Sequence, residues 1–231
     1  MTLKALIFDV DGTLAETEEV HRQAFNETFA EAGLDWSWSR DDYAWLLKTT
    51  GGKERMKAYR AHLGLSRPSD AEIAALHKVK TARYAEIIAR GEIALRPGVA
   101  ELIAAARAKG LKLAVATTTN RPNVDALAQA CWGRHAEEVF DVIAAGDEVD
   151  RKKPAPDVFT LALMRLSLPA HECLAFEDSR NGVFSAQAAG LRVVVTPSAY
   201  TGCEDFSMAE KIMPALDLSL LEEKVPSRTS A

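Results

Sequence analysis

The chain has 231 residues, enough for one α/β domain of about 150 residues and an attached module of roughly 70. Apolar residues make up 48% and charged residues 26%, which excludes a disordered or fibrous chain, and a net charge of −5 without long runs of like charge argues against a nucleic-acid partner. Three cysteines without a Cys-x-x-Cys pair exclude a closed disulfide framework or a thiolate zinc site, and no apolar run approaches the ~18 residues of a membrane span.

Ala5–Phe8 is strand-like and reaches Asp9 too soon for the apolar region of a signal peptide, so a cytoplasmic protein is expected. Residues 18–32, 41–48, 53–62 and 71–89 all favour helix, and no strand is expected among them. Residues 15–91 are therefore predicted to be a helical insertion, in which basic and acidic residues balance at 12 each over 15–90. Gly91 and Arg96-Pro97-Gly98 mark the return. From there, strands and helices alternate. Val99, Leu102, Ile103 and Ala106 repeat at helical spacing before Gly110, and strands are predicted at 111–116, 142–145, 173–176 and 192–195. Helices are expected near 124–130, 157–166 and 183–189, and the tail after Glu222 is expected to fray. The pattern predicts an α/β core of 1–14 and 92–231 with a parallel, Rossmann-like sheet, interrupted by an α-helical cap over 15–91.

Polar residues collect where these strands end. Asp9-Val10-Asp11-Gly12-Thr13 follows the first strand, Thr117-Thr118-Thr119-Asn120 the second, Lys153-Pro154 comes after the third, and Glu177-Asp178 follows the fourth. Ligands of open α/β sheets bind outside the carboxyl ends of the strands, so these groups converge on one site. There is no P-loop and no His-Glu-x-x-His, which excludes a P-loop NTPase and a zincin.

In order and spacing these residues resemble the haloacid dehalogenase superfamily of hydrolases. Lys153-Pro-Ala-Pro-Asp157, Glu177-Asp-Ser-x-x-Gly182 and Thr50-Gly-Gly-Lys-Glu-Arg55 are similar to its CbbY-type branch, beside the β-phosphoglucomutases. The resemblance implies a Mg²⁺-dependent phosphatase with Asp9 as nucleophile, Asp11 as general acid and base, and Thr117 and Lys153 on the transferring phosphoryl group. Asp9, the backbone carbonyl of Asp11, Asp178 and, through water, Glu177 would hold the metal. A carboxylate attacking a phosphate dianion meets repulsion of about 4 kcal/mol per charge pair at 4 Å, even at an effective dielectric near 20, so cations are needed there. Glu18, His21, Tyr43, Gly52, Lys53, Arg55, Thr118 and Arg121 are candidate substrate contacts. Lys53 and Arg55, after the two glycines, would grip a second phosphate, and the branch implies a small sugar bisphosphate such as xylulose 1,5-bisphosphate. A phosphomutase or a metal-free dehalogenase would share the fold, although dehalogenases lack an equivalent of Asp11. Trp36, Trp38, Tyr43 and Trp45 read as cap packing, Lys152 as a solvated neighbour of Lys153, and Asn26-Glu27-Thr28 as a helical segment rather than a glycosylation acceptor. A monomer is expected.

Overall fold

The structure, a computed structural model, describes residues 2–91 and 93–222. The expected frayed tail, 223–231, lies outside them. Six strands form one all-parallel sheet: β1 (Ala5–Phe8), β2 (Lys112–Ala116), β3 (Val142–Ala144), β4 (Cys173–Glu177), β5 (Arg192–Val195) and β6 (Lys211–Ile212), in spatial order β3-β2-β1-β4-β5-β6. The central strands are buried on both faces, as parallel strands under crossover helices must be, while the edge strand β6 is partly exposed. Leu6 and Phe8, with Leu113, Val115, Leu174 and Phe176, face α5 (Val99–Ala108) and α6 (Arg121–Trp132). Ala5, Ile7, Ala114, Ala116 and Ala175 face α8 (Asp157–Leu166) and α9 (Arg180–Ala188), where the small side chains admit close helix approach. Phe8 and Phe176 stack across β1 and β4 with centroids 4.7 Å apart. The chain builds β1, β2 and β3 outward on one side, then crosses back to place β4 on the other side of β1. The carboxyl ends of β1 and β4 therefore flank the topological switch point, the usual crevice for a ligand.

Between β1 and β2 lie α1 (Glu18–Glu31), α2 (Arg40–Leu46), α3 (Gly52–His62) and α4 (Asp70–Ala89). Capping boxes at Ser39/Asp42 and Ser69/Glu72 start α2 and α4. Phe25, Phe29, Trp36, Trp38, Tyr43, Leu46, Met56 and Ile73 form a separate core for these helices. The expected packing role of the tryptophans holds for Trp36 and Trp38, whereas Trp45 is 42% exposed. Asn26 is committed to this core, since its side chain accepts from the Trp38 N–H at 2.8 Å and donates to the Trp38 carbonyl at 3.0 Å. The two connections to the rest of the chain pair with each other through an antiparallel bridge between Ala15 and Leu95. Arg96, next to that bridge, donates to the carbonyls of Gly12, Thr196 and Pro197.

The predicted elements match the observed ones within a few residues, but α7 (Ala136–Val139) and β6 were not expected. A four-residue helix and a two-residue strand are too short to show periodicity. No helix among the described residues is long and apolar enough to cross a membrane.

Gly98 caps α5 at φ 83°, and a Cβ there would stand 1.8 Å from the Leu216 carbonyl oxygen. Gly98→Ala is expected to cost about 1–3 kcal/mol through strain and overpacking, read as a lower urea midpoint with an unchanged slope.

Candidate active site

Past β1 the chain turns sharply, with Leu14 N–H donating to the Val10 carbonyl at 2.9 Å and Gly12 N–H to Ala15 at 2.8 Å. Gly12 sits at φ 82°, and a Cβ on it would lie 2.3 Å from Asp178 Oδ2. Glycine is thus required twice over, by the backbone angle and by the approach of a carboxylate. Gly182, in the first turn of α9 after β4, plays the matching part, because a Cβ there would fall 1.9 Å from the Glu177 carboxyl group.

Ligand oxygens of Asp9, Glu177 and Asp178 lie within 4.8 Å of one another, and all three residues are buried. Lys153 Nζ donates to Asp9 Oδ1 and Glu177 Oε1, both at 2.6 Å, and to the Ala116 carbonyl at 2.9 Å. Burial raises the Asp9 carboxyl against the pull of Lys153, to about 7. Burial together with the charges of Asp9 and Glu177 raises Asp178 well above the carboxylate range. Burial would lower Lys153, but the two carboxylates outweigh it and hold its ammonium charged. Three clustered carboxylates against one ammonium leave negative charge in excess, and their hard oxygen donors suit a divalent cation.

Asp11 stands apart from that cluster and reaches toward α1. Its Oδ1 accepts from the Thr17 hydroxyl at 2.5 Å and from His21 Nε2 at 2.9 Å, while the Lys80 ammonium lies 2.5 Å from His21 Nδ1. Lys80, His21 and Asp11 thus form one line of direct polar contacts. Burial raises the Asp11 carboxyl, but His21 and Thr17 outweigh it and hold it below the usual range. Burial lowers Lys80 to about 7 despite the charge of Asp11.

A cavity of about 500 Å³ opens over these groups. Asp9, Asp11, Lys153 and Asp178 form its floor, and Glu18, His21, Gly52, Lys53, Arg55 and Thr118 stand on its wall. Tyr43 lies behind the wall, fully buried, donating from its hydroxyl to Glu18 at 2.7 Å and accepting from Arg55 at 3.1 Å. Arg55 also donates to the Thr49 carbonyl at 3.0 Å. Thr117 is buried at the end of β2, where its hydroxyl accepts from the Thr119 N–H at 3.2 Å.

Arg121 corrects an expectation. Its guanidinium donates to Asp125 at 3.1 Å and Glu137 at 2.8 Å, carboxylates on its own helix and on α7 that draw it away from the cavity. Lys152, read as a solvated neighbour, instead lines the cavity. Lys80, His77, Phe25 and Tyr200 line it too and were not singled out. Lys80 left one sign in the sequence: it occupies the apolar stripe of α4 that Ile73, Tyr84 and Ile87 define, a place where an unpaired lysine would be costly. Glu16 is exposed and accepts from Arg96 Nε at 3.4 Å and the Ala199 N–H at 3.3 Å. Cys131, Cys173 and Cys203 are free, and Cys203 lies on the cavity wall.

A family model of the haloacid dehalogenase-like hydrolases matches residues 3–190. The chain belongs to that family. It is 67% identical to protein CbbY of Rhodobacter capsulatus over 216 residues, covering 94% of this chain and 95% of that protein. The crystal structure of CbbY from Rhodobacter sphaeroides in complex with phosphate matches it with a TM-score of 0.92 at 51% identity, covering 96% of this chain and 100% of that one. A mutant of the Rhodobacter sphaeroides protein, crystallised in complex with xylulose 1,5-bisphosphate, matches with a TM-score of 0.89 at 52% identity over 93% of this chain and 95% of the other. Within the family the chain falls in the CbbY branch, and it is a phosphatase.

Removing Lys153 would strand the Asp9 and Glu177 carboxylates without their cation. Lys153→Ala is expected to lower stability at pH 7.5 by about 3–5 kcal/mol. Asp9 already titrates high, near 7, and without the lysine it rises further above its unfolded value. The penalty therefore grows as pH rises from the unfolded toward the native value of Asp9 and shrinks at pH 5, where that buried carboxyl takes up a proton. Urea unfolding at the two pH values in the presence of EDTA measures this.

Proposed function

We propose that the chain is a Mg²⁺-dependent phosphatase of a small sugar bisphosphate, xylulose 1,5-bisphosphate in the first instance, that works through an aspartyl-phosphate on Asp9. The observation that carries the reading is the pairing of two differently held carboxylates two residues apart: Asp9 on Lys153, and Asp11 on Thr17 and His21. One is a nucleophile beside a fixed positive charge, and the other is free to handle protons. The bisphosphate complex of the 52% identical relative supports the substrate class.

Asp9, Asp178, the Asp11 carbonyl and, through water, Glu177 would hold Mg²⁺, which supplies positive charge to offset repulsion between the carboxylates and the substrate phosphate. The Asp9 oxygen attacks phosphorus while Lys153 stabilises the charge on the transferring oxygens, and the Thr117 hydroxyl and the N–H groups after β2 complete the cradle. Asp11 gives a proton to the leaving alkoxide and then takes one from the water that cleaves the aspartyl-phosphate. In the free chain its neighbours favour the ionised form, which the second half-reaction needs. A dianionic substrate beside it raises its pKa and favours the protonated form for the first.

The second phosphate would lie against Lys53, Arg55 and the glycines that begin α3, with Glu18, His21, Tyr43 and Thr118 shaping the sugar site. The units are a core of 1–14 and 92–231 and a cap of 15–91 that closes over the substrate and expels water. The inserted helices already cover the site, and on this reading the enzyme is a monomer of the cytoplasm.

Phosphate release from xylulose 1,5-bisphosphate tests this reading. Release should require Mg²⁺, stop with EDTA, and fall by about 10³-fold or more in a folded Asp9→Asn variant. Retention of most of the rate by that variant overturns the nucleophile assignment. Arg55→Ala should lower kcat/KM for the bisphosphate by about ten- to a hundredfold, and for p-nitrophenyl phosphate by much less, since that ester carries no second phosphate. Equal losses on both would show that Arg55 does not read the second phosphate.

A further inference from the structure

One wall of the cavity comes from a loop after β5 that the proposed chemistry leaves without a role. The Thr201 hydroxyl donates to the Asp178 carbonyl at 2.7 Å and accepts from the Ser198 N–H at 2.8 Å, which fastens the loop to the carboxylate cluster. From the same loop Tyr200 crosses to the helices inserted between β1 and β2. Its ring meets Tyr43 edge-on, with centroids 5.7 Å apart and planes at 82°, and packs against the aromatic core formed by Phe25, Trp38 and their neighbours. Its hydroxyl donates to the Glu19 carboxylate, which Arg22 also holds at 2.9 Å.

Tyr43 is the residue whose hydroxyl joins Glu18 to Arg55. A short path of direct contacts therefore runs from Asp178 through Thr201 and Tyr200 to Tyr43 and the two charged residues it orients. Other side-chain bonds span the same divide: those of Asp11 to Thr17 and His21 belong to the loop after β1, and Asn120 to Thr81 at 3.1 Å and Asn181 to Thr50 at 3.3 Å are each a single contact between polar groups. Tyr200 adds packing of an aromatic ring to its hydrogen bond, and it ends on Tyr43, which holds the wall residues Glu18 and Arg55 from behind.

We infer that Tyr200 is a positioning residue that sets the span between the carboxylate cluster and the Tyr43, Glu18 and Arg55 group, so that a substrate touching both ends is bound in register. The inference rests on the proposed reading, in which Arg55 contacts the far end of the substrate. A ligand that occupies only the carboxylate end depends little on that span, whereas one that bridges the cavity depends on it directly.

The experiment compares xylulose 1,5-bisphosphate with p-nitrophenyl phosphate in steady-state kinetics with Mg²⁺. Tyr200→Ala should raise KM for the bisphosphate by about tenfold more than it raises KM for the ester, a split that general loosening of the fold would not produce. Tyr200→Phe, which keeps the ring, should restore most of that difference. If Tyr200→Ala fails to fold, Tyr200→Phe and Glu19→Ala are compared singly and together. Each removes one side of the same hydrogen bond, so the double variant should lose no more in bisphosphate KM than the worse single one. Equal factors on both substrates, an unchanged bisphosphate KM in Tyr200→Ala, or additive losses in the cycle overturn the inference. Should the wild-type protein fail to prefer the bisphosphate, the substrate reading falls by itself. The best ester from a panel of sugar phosphates then replaces the bisphosphate in the same ratio, and the outcomes for Tyr200 read as before.

Discussion

Excess negative charge buried at the switch point of the sheet is the constraint around which the rest of this molecule is arranged. Three carboxylates and one ammonium share a space only a few ångströms across, between the ends of β1 and β4. Such a group is held together by what surrounds it, because the desolvation cost of each charge is large and the attractions among them offset it only with tight geometry. The two glycines whose missing Cβ atoms make room for Asp178 and Glu177 belong to that geometry. So does the all-parallel sheet, since only its crossover places Asp9 and Glu177 on adjacent strands while sending Lys153 in from the connection between β3 and β4. A site of this kind is poorly adapted to stability and well adapted to binding a cation and a phosphate.

Asp9 and Asp11 illustrate how neighbours assign different work to identical side chains. They are separated by one residue, yet burial and nearby carboxylates push the first upward while His21 and Thr17 hold the second down. The difference arises because the loop after β1 turns one carboxylate toward β4 and the other toward α1. The side chains that hold Asp11 down come from the inserted helices or their approach: Thr17, His21 and, behind it, Lys80. The protonation state of the core's second carboxylate is therefore sensitive to where those helices stand.

Much of this was legible in the sequence, for physical reasons that also explain what was not. Strands buried on both faces write themselves as short apolar runs, and the polar clusters just beyond them mark the ligand edge of the sheet, so Asp9, Asp11, Lys153, Glu177 and Asp178 could be grouped from their positions alone. The helical insertion was readable because its four segments lack any strand-like alternation. Arg121 misled because an arginine at a helix start beside the site has two options: the i+4 spacing to Asp125 is visible in the sequence, but the second carboxylate, Glu137 on α7, lies beyond what local spacing reveals. Tyr200 gave no signal at all. Its significance comes from contacts with residues more than 150 positions away, and a tyrosine in an irregular loop has no periodicity to betray it.

The bridge between Ala15 and Leu95, with Arg96 beside it, bears on how such an enzyme can change over evolutionary time. The outgoing and returning chains leave the sheet at a single doorway, sealed by a guanidinium that grips three carbonyls of the core. No strand of the sheet passes through that doorway, so everything beyond it can be exchanged as a cassette without disturbing a single strand register. A lineage can thus acquire a new specificity by replacing one contiguous stretch of gene, while the chemically demanding half of the enzyme stays as it is.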